Sequence, residues 1–380
     1  MPSQELLNKV KLFRDAAAFR KPEHTPHLSN VFTWKIYDSS VSFSEAMHDF
    51  KKMEKAVREF IQRYDFDAYV DVGTRNPVGI SEALGTENSC YTVDEETGAI
   101  NVIDKVLFDG SEYETFCKNP NAFYRLLFQR KYPNATAKEV QIAMQSFMDF
   151  GQYIQRIEKI INEEYNRPLL TSMSSAILMP IETFNHYGRG IKGIAIDMRR
   201  HADGLKAAND KIFETETLPM IKGVLASDTS IYAADCYTAM LAYLSMNTKQ
   251  FGEFYWPYLK QYIDACKEAE KTLFMYCEST MLRFADFFAS YDKGLLILHP
   301  ELDSVYDVRK TLPNIAVSGG ESCVTLGLGT PEECIDEAKR LINEMGPGFI
   351  LSQDKMVSFK NDCNRENLLA LCDFAKNYRI

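Results

Sequence analysis

The hydrophobic and polar positions of this chain change their pattern near residue 168. Before that point apolar side chains recur at helical spacing, most clearly over residues 44–64 and 137–165, and these two segments are predicted to be long helices. Between them, residues 67–73 (DAYVDVG) form a short apolar run that ends in glycine, which predicts a strand. The first part of the chain is therefore predicted to be mainly helical.

After residue 168, short apolar runs alternate with amphipathic segments, which is the pattern of strands that alternate with helices. The predicted strands are 168–174, 221–227, 271–278, 294–299, 314–320 and 348–352. The predicted helices are 251–270, 281–290, 305–312, one that begins at Thr330, and 364–378. A capping box at Thr330 and Glu333, with Pro331 between them, marks the start of the fourth helix.

The repeat of about 20 to 35 residues is the length of one βα unit, and parallel strands joined by helical crossovers follow from it. About seven or eight such units fit a closed (β/α)8 TIM barrel with an N-terminal helical extension. A doubly wound open sheet is the alternative. No predicted strand is followed by the G-x-G-x-x-G turn of the nucleotide-binding members of that class, which favours the barrel.

Composition and charge exclude several kinds of protein. With 46% hydrophobic and 25% charged residues the chain is typical of a soluble globular protein, and the absence of linkers predicts a single domain over 1–380. A net charge of −10 disfavours nucleic acid as a partner. No segment has the apolar length of a signal peptide or a membrane span, so we expect a cytoplasmic protein whose nine cysteines are reduced thiols.

In a barrel of this type, reactive side chains lie where the strands end. The candidates at predicted strand ends are Asp71, Asp228, Cys277, Glu278, His299, Glu301, Glu321 and Gln353. Glu278 and His299 end consecutive strands, so their side chains are expected near one another. Carboxylate, imidazole and thiolate groups all bind zinc, and Cys277 is a further candidate ligand. A capping or ion-paired glutamate beside a structural histidine is the alternative interpretation of this pair.

Residues 227–258 are rich in aromatic side chains that could line a pocket for an organic substrate. Asp228 and Tyr232 are the predicted substrate-binding residues of this segment, and Glu321 and Gln353 are predicted to join them from later strand ends. Aromatic residues at this density more often pack in the core or at a subunit interface, which is the alternative interpretation, and a homodimer would be compatible with it.

Several stretches resemble the uroporphyrinogen decarboxylase-like superfamily over the whole length of the chain. They are KLFRDAAAFRKPEHTP, FGEFYWPYLKQYIDACKEA, SGGESCVTLGLGTPEECIDEAKRLINEM and ENLLALCDFAKNYR. The decarboxylases of that superfamily carry an arginine-rich stretch that grips substrate carboxylates. The corresponding place here reads NVFTWKIYD, without arginine, which disfavours decarboxylation.

The resemblance is greater to the corrinoid-dependent methyltransferase branch. Its thiol-methylating members carry His-x-Cys and a further cysteine, where this chain has Met275, Cys277 and Gln353. Its ether-cleaving members are more similar, with a carboxylate and a histidine spaced like Glu278 and His299. Their other carboxylate corresponds to Ile263, with Asp264 beside it, so the third zinc ligand is not identified.

The resemblance implies that the protein moves a methyl group from a small methylated substrate to a corrinoid (cobalamin) carried by a partner protein. Zinc on Glu278, His299 and Cys277 would act as a Lewis acid, with Glu278 and His299 as the catalytic residues. Two alternatives stay open: a decarboxylase of porphyrinogens, and a non-catalytic binding barrel that has lost its metal.

Overall fold

Seven short strands of the chain lie in one curled, fully parallel sheet. The computed structural model describes residues 2–70, 78–84, 91–94, 99–102 and 106–379. The strands of the sheet are β1 (His27–Ser29), β2 (Ala68–Tyr69), β5 (Cys236–Met240), β6 (Leu273–Cys277), β7 (Leu296–Pro300), β8 (Ala316–Glu321) and β9 (Phe349–Gln353). Their spatial order is β2-β1-β9-β8-β7-β6-β5, so neighbouring strands follow the chain from β5 to β9. A separate antiparallel hairpin consists of β3 (Tyr91–Asp94) and β4 (Ala99–Val102).

Helices surround the sheet and also precede it in the chain. They are α1 (Gln4–Ala17), α2 (Trp34–Tyr37), α3 (Phe43–His48), α4 (Phe50–Arg63), α5 (Val78–Ala83), α6 (Tyr113–Lys118), α7 (Pro120–Lys131), α8 (Ala137–Lys159), α9 (Pro180–Phe184), α10 (Gly190–Arg200), α11 (Ala202–Ile212), α12 (Leu218–Ala226), α13 (Thr248–Phe254), α14 (Trp256–Glu268), α15 (Val305–Thr311), α16 (Cys323–Leu328), α17 (Pro331–Met345) and α18 (Arg365–Asn377). None of the helices in the described part of the chain combines the length and the apolar character that a membrane span requires.

The sheet curls as a TIM barrel does, but it is not closed in the described residues, so the predicted closed eight-stranded barrel is not what the structure shows. Its edge strands β2 and β5 are not paired with each other. The segment 168–177 lies between them and makes single bridges, from Leu169 to Tyr69 and from Ala176 to Tyr237. The short 3-10 turn Met173–Ser175 interrupts this segment, which explains why it does not form the strand predicted at 168–174.

The inner face of the curled sheet is filled by a small apolar cluster to which almost every strand contributes. Its strand residues include Leu28, Ala68, Phe274, Ile297, Ala316 and Ile350. Helix α1 covers the amino ends of the strands, and Phe13, which is fully buried, packs into the same cluster. The larger apolar cluster lies between the outer face of the sheet and the helices. The predicted N-terminal helical extension therefore closes one end of the sheet, and the carboxyl ends of the strands are left for a site.

Four predicted strands near the end of the chain are confirmed, as β6, β7, β8 and β9. The strand predicted at 221–227 is wrong, because this segment belongs to α12, where Pro219 occupies the first turn. A short apolar run does not distinguish a buried strand from a buried helix. The strands β1 and β5 were not predicted, and only the start of the strand predicted at 67–73 lies within the described residues, as β2.

The predicted helices are mostly confirmed, with local breaks. The helix expected over 44–64 is divided into α3 and α4 by Asp49, whose side chain caps α4. The helix over 251–270 is likewise two helices, α13 and α14, and the one over 281–290 is a 3-10 helix, Leu282–Phe287. The capping box at Thr330 is present, with Glu333 as its partner.

Candidate functional site

A buried layer of polar side chains lies on the inner face of the sheet, one step beyond the apolar cluster toward the carboxyl ends of the strands. Successive strand residues point to opposite faces, so the polar residue two places after an inner apolar residue also faces inward. Asn30 follows Leu28 in this way, and His299 follows Ile297. We call the set Asn30, Tyr276, His299 and Ser318 the inner polar layer.

His299 is at the centre of this layer and is almost completely buried. Its ring stacks on that of Tyr276, with 4.8 Å between the ring centroids and 11° between the planes. Nδ1 lies 3.3 Å from Ser318 Oγ, and Nε2 lies 3.4 Å from Asn30 Nδ2. Burial lowers the pKa of His299 to about 3, because the charged imidazolium loses its hydration. The side chain is therefore neutral at physiological pH.

Tyr276 connects the layer to a carboxylate at the mouth of the sheet. Its hydroxyl donates to Glu301 Oε1, and burial together with this carboxylate raises the pKa of Tyr276 well above its ordinary value. The Tyr276 oxygen also accepts from Asn30 Nδ2, at 3.5 Å. Glu301 follows β7 directly, so the strand end brings it beside the layer as the sequence analysis expected for a strand-end residue.

Cys277 and Glu278 lie on different sides of the end of β6. Cys277 packs in the cluster between sheet and helices, and its buried thiol contacts the carbonyl of Met275 at 3.8 Å. Burial raises the pKa of the Cys277 thiol, so the thiolate form required of a zinc ligand is disfavoured. Glu278 follows the strand and is partly exposed. The predicted pairing of Cys277 with His299 in one site is wrong, because strand alternation places these two side chains on opposite faces.

Glu321 and Gln353, both predicted to bind substrate, belong to a second polar group that we call the outer cluster, together with His27. Gln353 Nε2 donates to Glu321 Oε2, and Glu321 Oε1 lies 2.9 Å from His27 Nε2, although that contact is not aligned as a hydrogen bond. The His27 ring packs on Phe66 in the helix-facing core, at 4.3 Å. Gln353 also accepts from the backbone nitrogen of Asn30 at 2.7 Å. The outer cluster therefore lies on the helix-facing side of the strands and not inside the sheet at the carboxyl ends of the strands.

Asp228 and Tyr232 lie at the amino-terminal side of the sheet, before β5 begins. Asp228 follows helix α12, is exposed, and accepts from the backbone nitrogen of Ser230 at 2.9 Å. Tyr232 donates its hydroxyl to Glu158 on helix α8. Because 221–227 is a helix rather than a strand, neither residue reaches the inner polar layer, and the expected substrate pocket around them is not formed there. Asp71 lies outside the described residues.

The residues present do not fit a catalytic zinc ion on His299. Both ring nitrogens already face protein partners, Asn30 on one side and Ser318 on the other. A catalytic zinc also needs three protein ligands. In the ranges that the structure describes, no group of three or more His, Cys, Asp or Glu side chains is arranged to hold a metal ion. Zinc on Glu278 and His299 stays a prediction that this geometry does not support.

Three residues of the inner polar layer, Asn30, Tyr276 and Ser318, are not predicted from the sequence. Asn30 directly follows β1 and is the first residue of NVFTWKIYD, the stretch that corresponds to the substrate-gripping stretch of the decarboxylases, and this correspondence is the signal in the sequence that points to Asn30. Tyr276 and Ser318 lie inside correctly predicted strands. Strand alternation backward from Glu278 places Tyr276 on the same face, whereas Ser318 lies on a different strand from both Glu278 and His299 and needs the pairing of β7 with β8 to be placed.

Comparison with known proteins supports the fold. The chain is similar in structure to a methyltransferase from Methanosarcina mazei, with a TM-score of 0.64 over 97% of this chain and 98% of that one, at 14% sequence identity. No model of a known protein family matches the sequence, and neither does any curated protein. The likeness therefore shows that the two chains share a fold from end to end.

Proposed function

We propose that this protein is a methyltransferase that moves a methyl group from a small methylated substrate to a corrinoid carried by a partner protein. The observation that carries the proposal is the inner polar layer, which lies at the carboxyl ends of the strands in a fold shared with a methyltransferase. In barrels of this kind that end of the sheet is where chemistry takes place. The resemblance of the sequence to the corrinoid-dependent branch supports the acceptor.

The corrinoid of the partner would supply the acceptor atom for the methyl group. The residues of this chain would bind and orient the substrate and keep water away from it. Tyr276 and His299 offer stacked ring faces, and Asn30 offers amide atoms within the same layer. The heteroatom that loses its methyl group must keep or gain a proton, and Glu301 and Glu278 are the carboxylates next to the mouth.

A rim of exposed apolar side chains surrounds the same end of the sheet and supports docking of a partner there. Each follows a strand of the sheet: Leu244 after β5, Leu302 after β7, Val324 and Leu328 after β8, and Phe359 after β9. Leu302 is 62% exposed and Leu328 is 83% exposed. Isolated exposed apolar residues are common, but several that follow different strands at the same end of the sheet are the type of surface that a protein partner covers.

The test is methyl transfer with purified components under reducing conditions. The protein is mixed with a corrinoid protein and a panel of methylated amines, ethers and thioethers, and methylation of the corrinoid is followed by its absorbance. We expect one class of compound to support transfer. In a Leu302→Asp, Leu328→Asp double variant we expect the KM for the corrinoid protein to rise about tenfold, because charge on the rim opposes docking.

The matched control is the double variant Met144→Asp, Phe147→Asp, which places the same two charges on apolar side chains of α8 that are 63% and 65% exposed. It should leave the KM for the corrinoid protein unchanged. Absence of transfer with every compound would contradict the proposal. Mass spectrometry of the same preparations measures zinc; about one zinc per chain that is lost in His299→Ala would show that the zinc-assisted form of the reaction applies after all.

A further inference from the structure

The inner polar layer contains a buried oxygen atom that has no hydrogen-bond partner, Oδ1 of Asn30. Asn30 is fully buried, and an unpaired acceptor at such depth is rare in folded proteins. We infer that Asn30 Oδ1 is the substrate-recognition atom of this site, and that it accepts a hydrogen bond from an N–H or O–H group of the methylated substrate. This inference rests on the proposed function and names the substrate class for it.

The direction of the Asn30 amide is fixed by its neighbours. Tyr276 gives its single hydroxyl hydrogen to the Glu301 carboxylate, so the Tyr276 oxygen can only accept from Asn30. The amide group that faces Tyr276 must therefore be the Nδ2 donor. The second Nδ2 hydrogen faces His299 Nε2 at 3.4 Å. Both donor hydrogens of the amide are thus engaged within the layer, and the acceptor Oδ1 is what the amide has left to offer.

A second polar atom supports the same interpretation. Ser352 Oγ is also buried without a partner. Ser352 lies beside Leu28 in the pairing of β9 with β1 and two residues after Ile350 of the inner apolar cluster, so it shares the inner face with Asn30. Two half-buried side chains that pack against this cluster, Val70 and Met356, follow β2 and β9, so they lie at the carboxyl ends of the strands, from which a small ligand would approach.

The backbone of Asn30 is held in place from behind by the outer cluster. Gln353 Oε1 accepts from Asn30 N at 2.7 Å, and Gln353 is itself oriented by its bond to Glu321. Gln353 therefore acts as a positioning residue for Asn30. An acceptor that is fixed before the ligand binds discriminates strongly against ligands that leave it unpaired.

Substrates with a donor near the methyl group are consequently favoured over those that offer acceptors alone. Protonated methylated amines and methoxy compounds with a neighbouring hydroxyl group carry such a donor. Simple methyl ethers, thioethers and quaternary ammonium ions do not. A hydrogen bond to a neutral acceptor corresponds to about a tenfold difference in affinity, and more when the donor is charged.

The experiment measures binding by titration calorimetry with two pairs of probes. One pair is trimethylammonium and tetramethylammonium; the other is 2-methoxyphenol and 1,2-dimethoxybenzene. In each pair the second compound lacks the donor. We expect the donor-bearing compound of one pair to bind the wild-type protein about tenfold more tightly, and the pair that shows the preference tells whether the donor is an ammonium or a hydroxyl group. Asn30→Leu should abolish the preference.

Thr238→Val is the matched control, since Thr238 Oγ1 is also buried without a partner but lies on the helix-facing side of β5, between Cys236 and Met240. It should keep the preference. If Asn30→Leu does not fold, Asn30→Asp keeps an acceptor at the same place and should increase the preference for trimethylammonium. Equal affinities within both pairs, a preference that persists in Asn30→Leu, or no saturable binding would each overturn the inference and leave Asn30 as a structural amide. A donor preference without any methyl transfer would instead overturn the proposed function alone.

Discussion

The inner polar layer and the outer cluster lie on opposite faces of the sheet, and they differ in how their polar atoms are paired. In the outer cluster, Gln353 joins Glu321 to the backbone of Asn30. His27 Nε2 and Glu321 Oε1 of this cluster face each other at 2.9 Å without an aligned hydrogen bond, and His27 Nδ1 has no partner. In the inner layer, Asn30 Oδ1 is buried and has no hydrogen-bond partner. The outer polar groups are thus linked mainly to one another, which is typical of a structural network, whereas the unpaired acceptor of the inner layer is the atom that we infer a ligand completes.

This difference shows that a polar residue at the end of a strand does not necessarily belong to the candidate site, since its side chain can face either side of the sheet. Gln353 and Ser352 are adjacent in sequence, yet one belongs to the outer cluster and the other faces inward with Asn30. The same holds for Cys277 and Tyr276 on β6. A difference of one position along a strand decides whether a polar side chain faces the inside of the sheet, where a ligand would bind, or the helices on the outer side.

The largest change is expected from Gln353→Leu, which should lower the stability of the protein because Gln353 belongs to the outer cluster. This change leaves the Glu321 carboxylate and the Asn30 backbone nitrogen without a partner in a buried environment, which costs about 3 kcal/mol of unfolding free energy. Urea denaturation measures the loss. The control is Gln145→Leu, an exposed glutamine on α8 bonded to Asp149, which should change stability by less than about 0.5 kcal/mol. Unchanged stability with altered substrate affinity would place Gln353 in the site after all.

For the inner polar layer we expect a change in the unfolding free energy of similar size, and this change depends on pH. The pKa of His299 is about 3 in the folded protein and 6.5 ordinarily, so between these values the unfolded chain binds a proton that the folded chain does not. The unfolding free energy therefore falls as the pH falls, by about 3 kcal/mol from this residue at pH 4, and this contribution is absent above about pH 7.

His299→Phe keeps a ring against Tyr276 and removes the titration, so the variant should lose less stability on acidification than the wild type. Denaturation series at several pH values measure the difference between the two slopes. His48→Phe is the control, because the His48 side chain is 42% exposed and lies outside the inner polar layer, and this variant should keep the slope of the wild type in the range where His299 titrates. Identical slopes for the wild type and His299→Phe would mean that His299 is not held neutral in the layer.

The smallest effect is expected from Asp228→Ala, at the amino-terminal side of the sheet. Asp228 is exposed and bonds only to the adjacent turn in the contacts described above, so methyl transfer and probe affinities should remain within experimental error of the wild type. A large loss of substrate affinity in Asp228→Ala would indicate that the substrate binds near the aromatic segment 227–258. It would then contradict the placement of the site at the carboxyl ends of the strands.

The sequence by itself determined the alternation of strands and helices from β6 to α18, the capping box at Thr330 and the presence of His299 at a strand end, because these follow from periodicity and local capping. Only the tertiary structure decided that residues 221–227 are helical and that the sheet does not close through 168–177, since short apolar runs fit either element. It also decided which polar strand residues face inward. That choice depends on pairing between strands distant in sequence, such as β1 with β9, and no local pattern contains it.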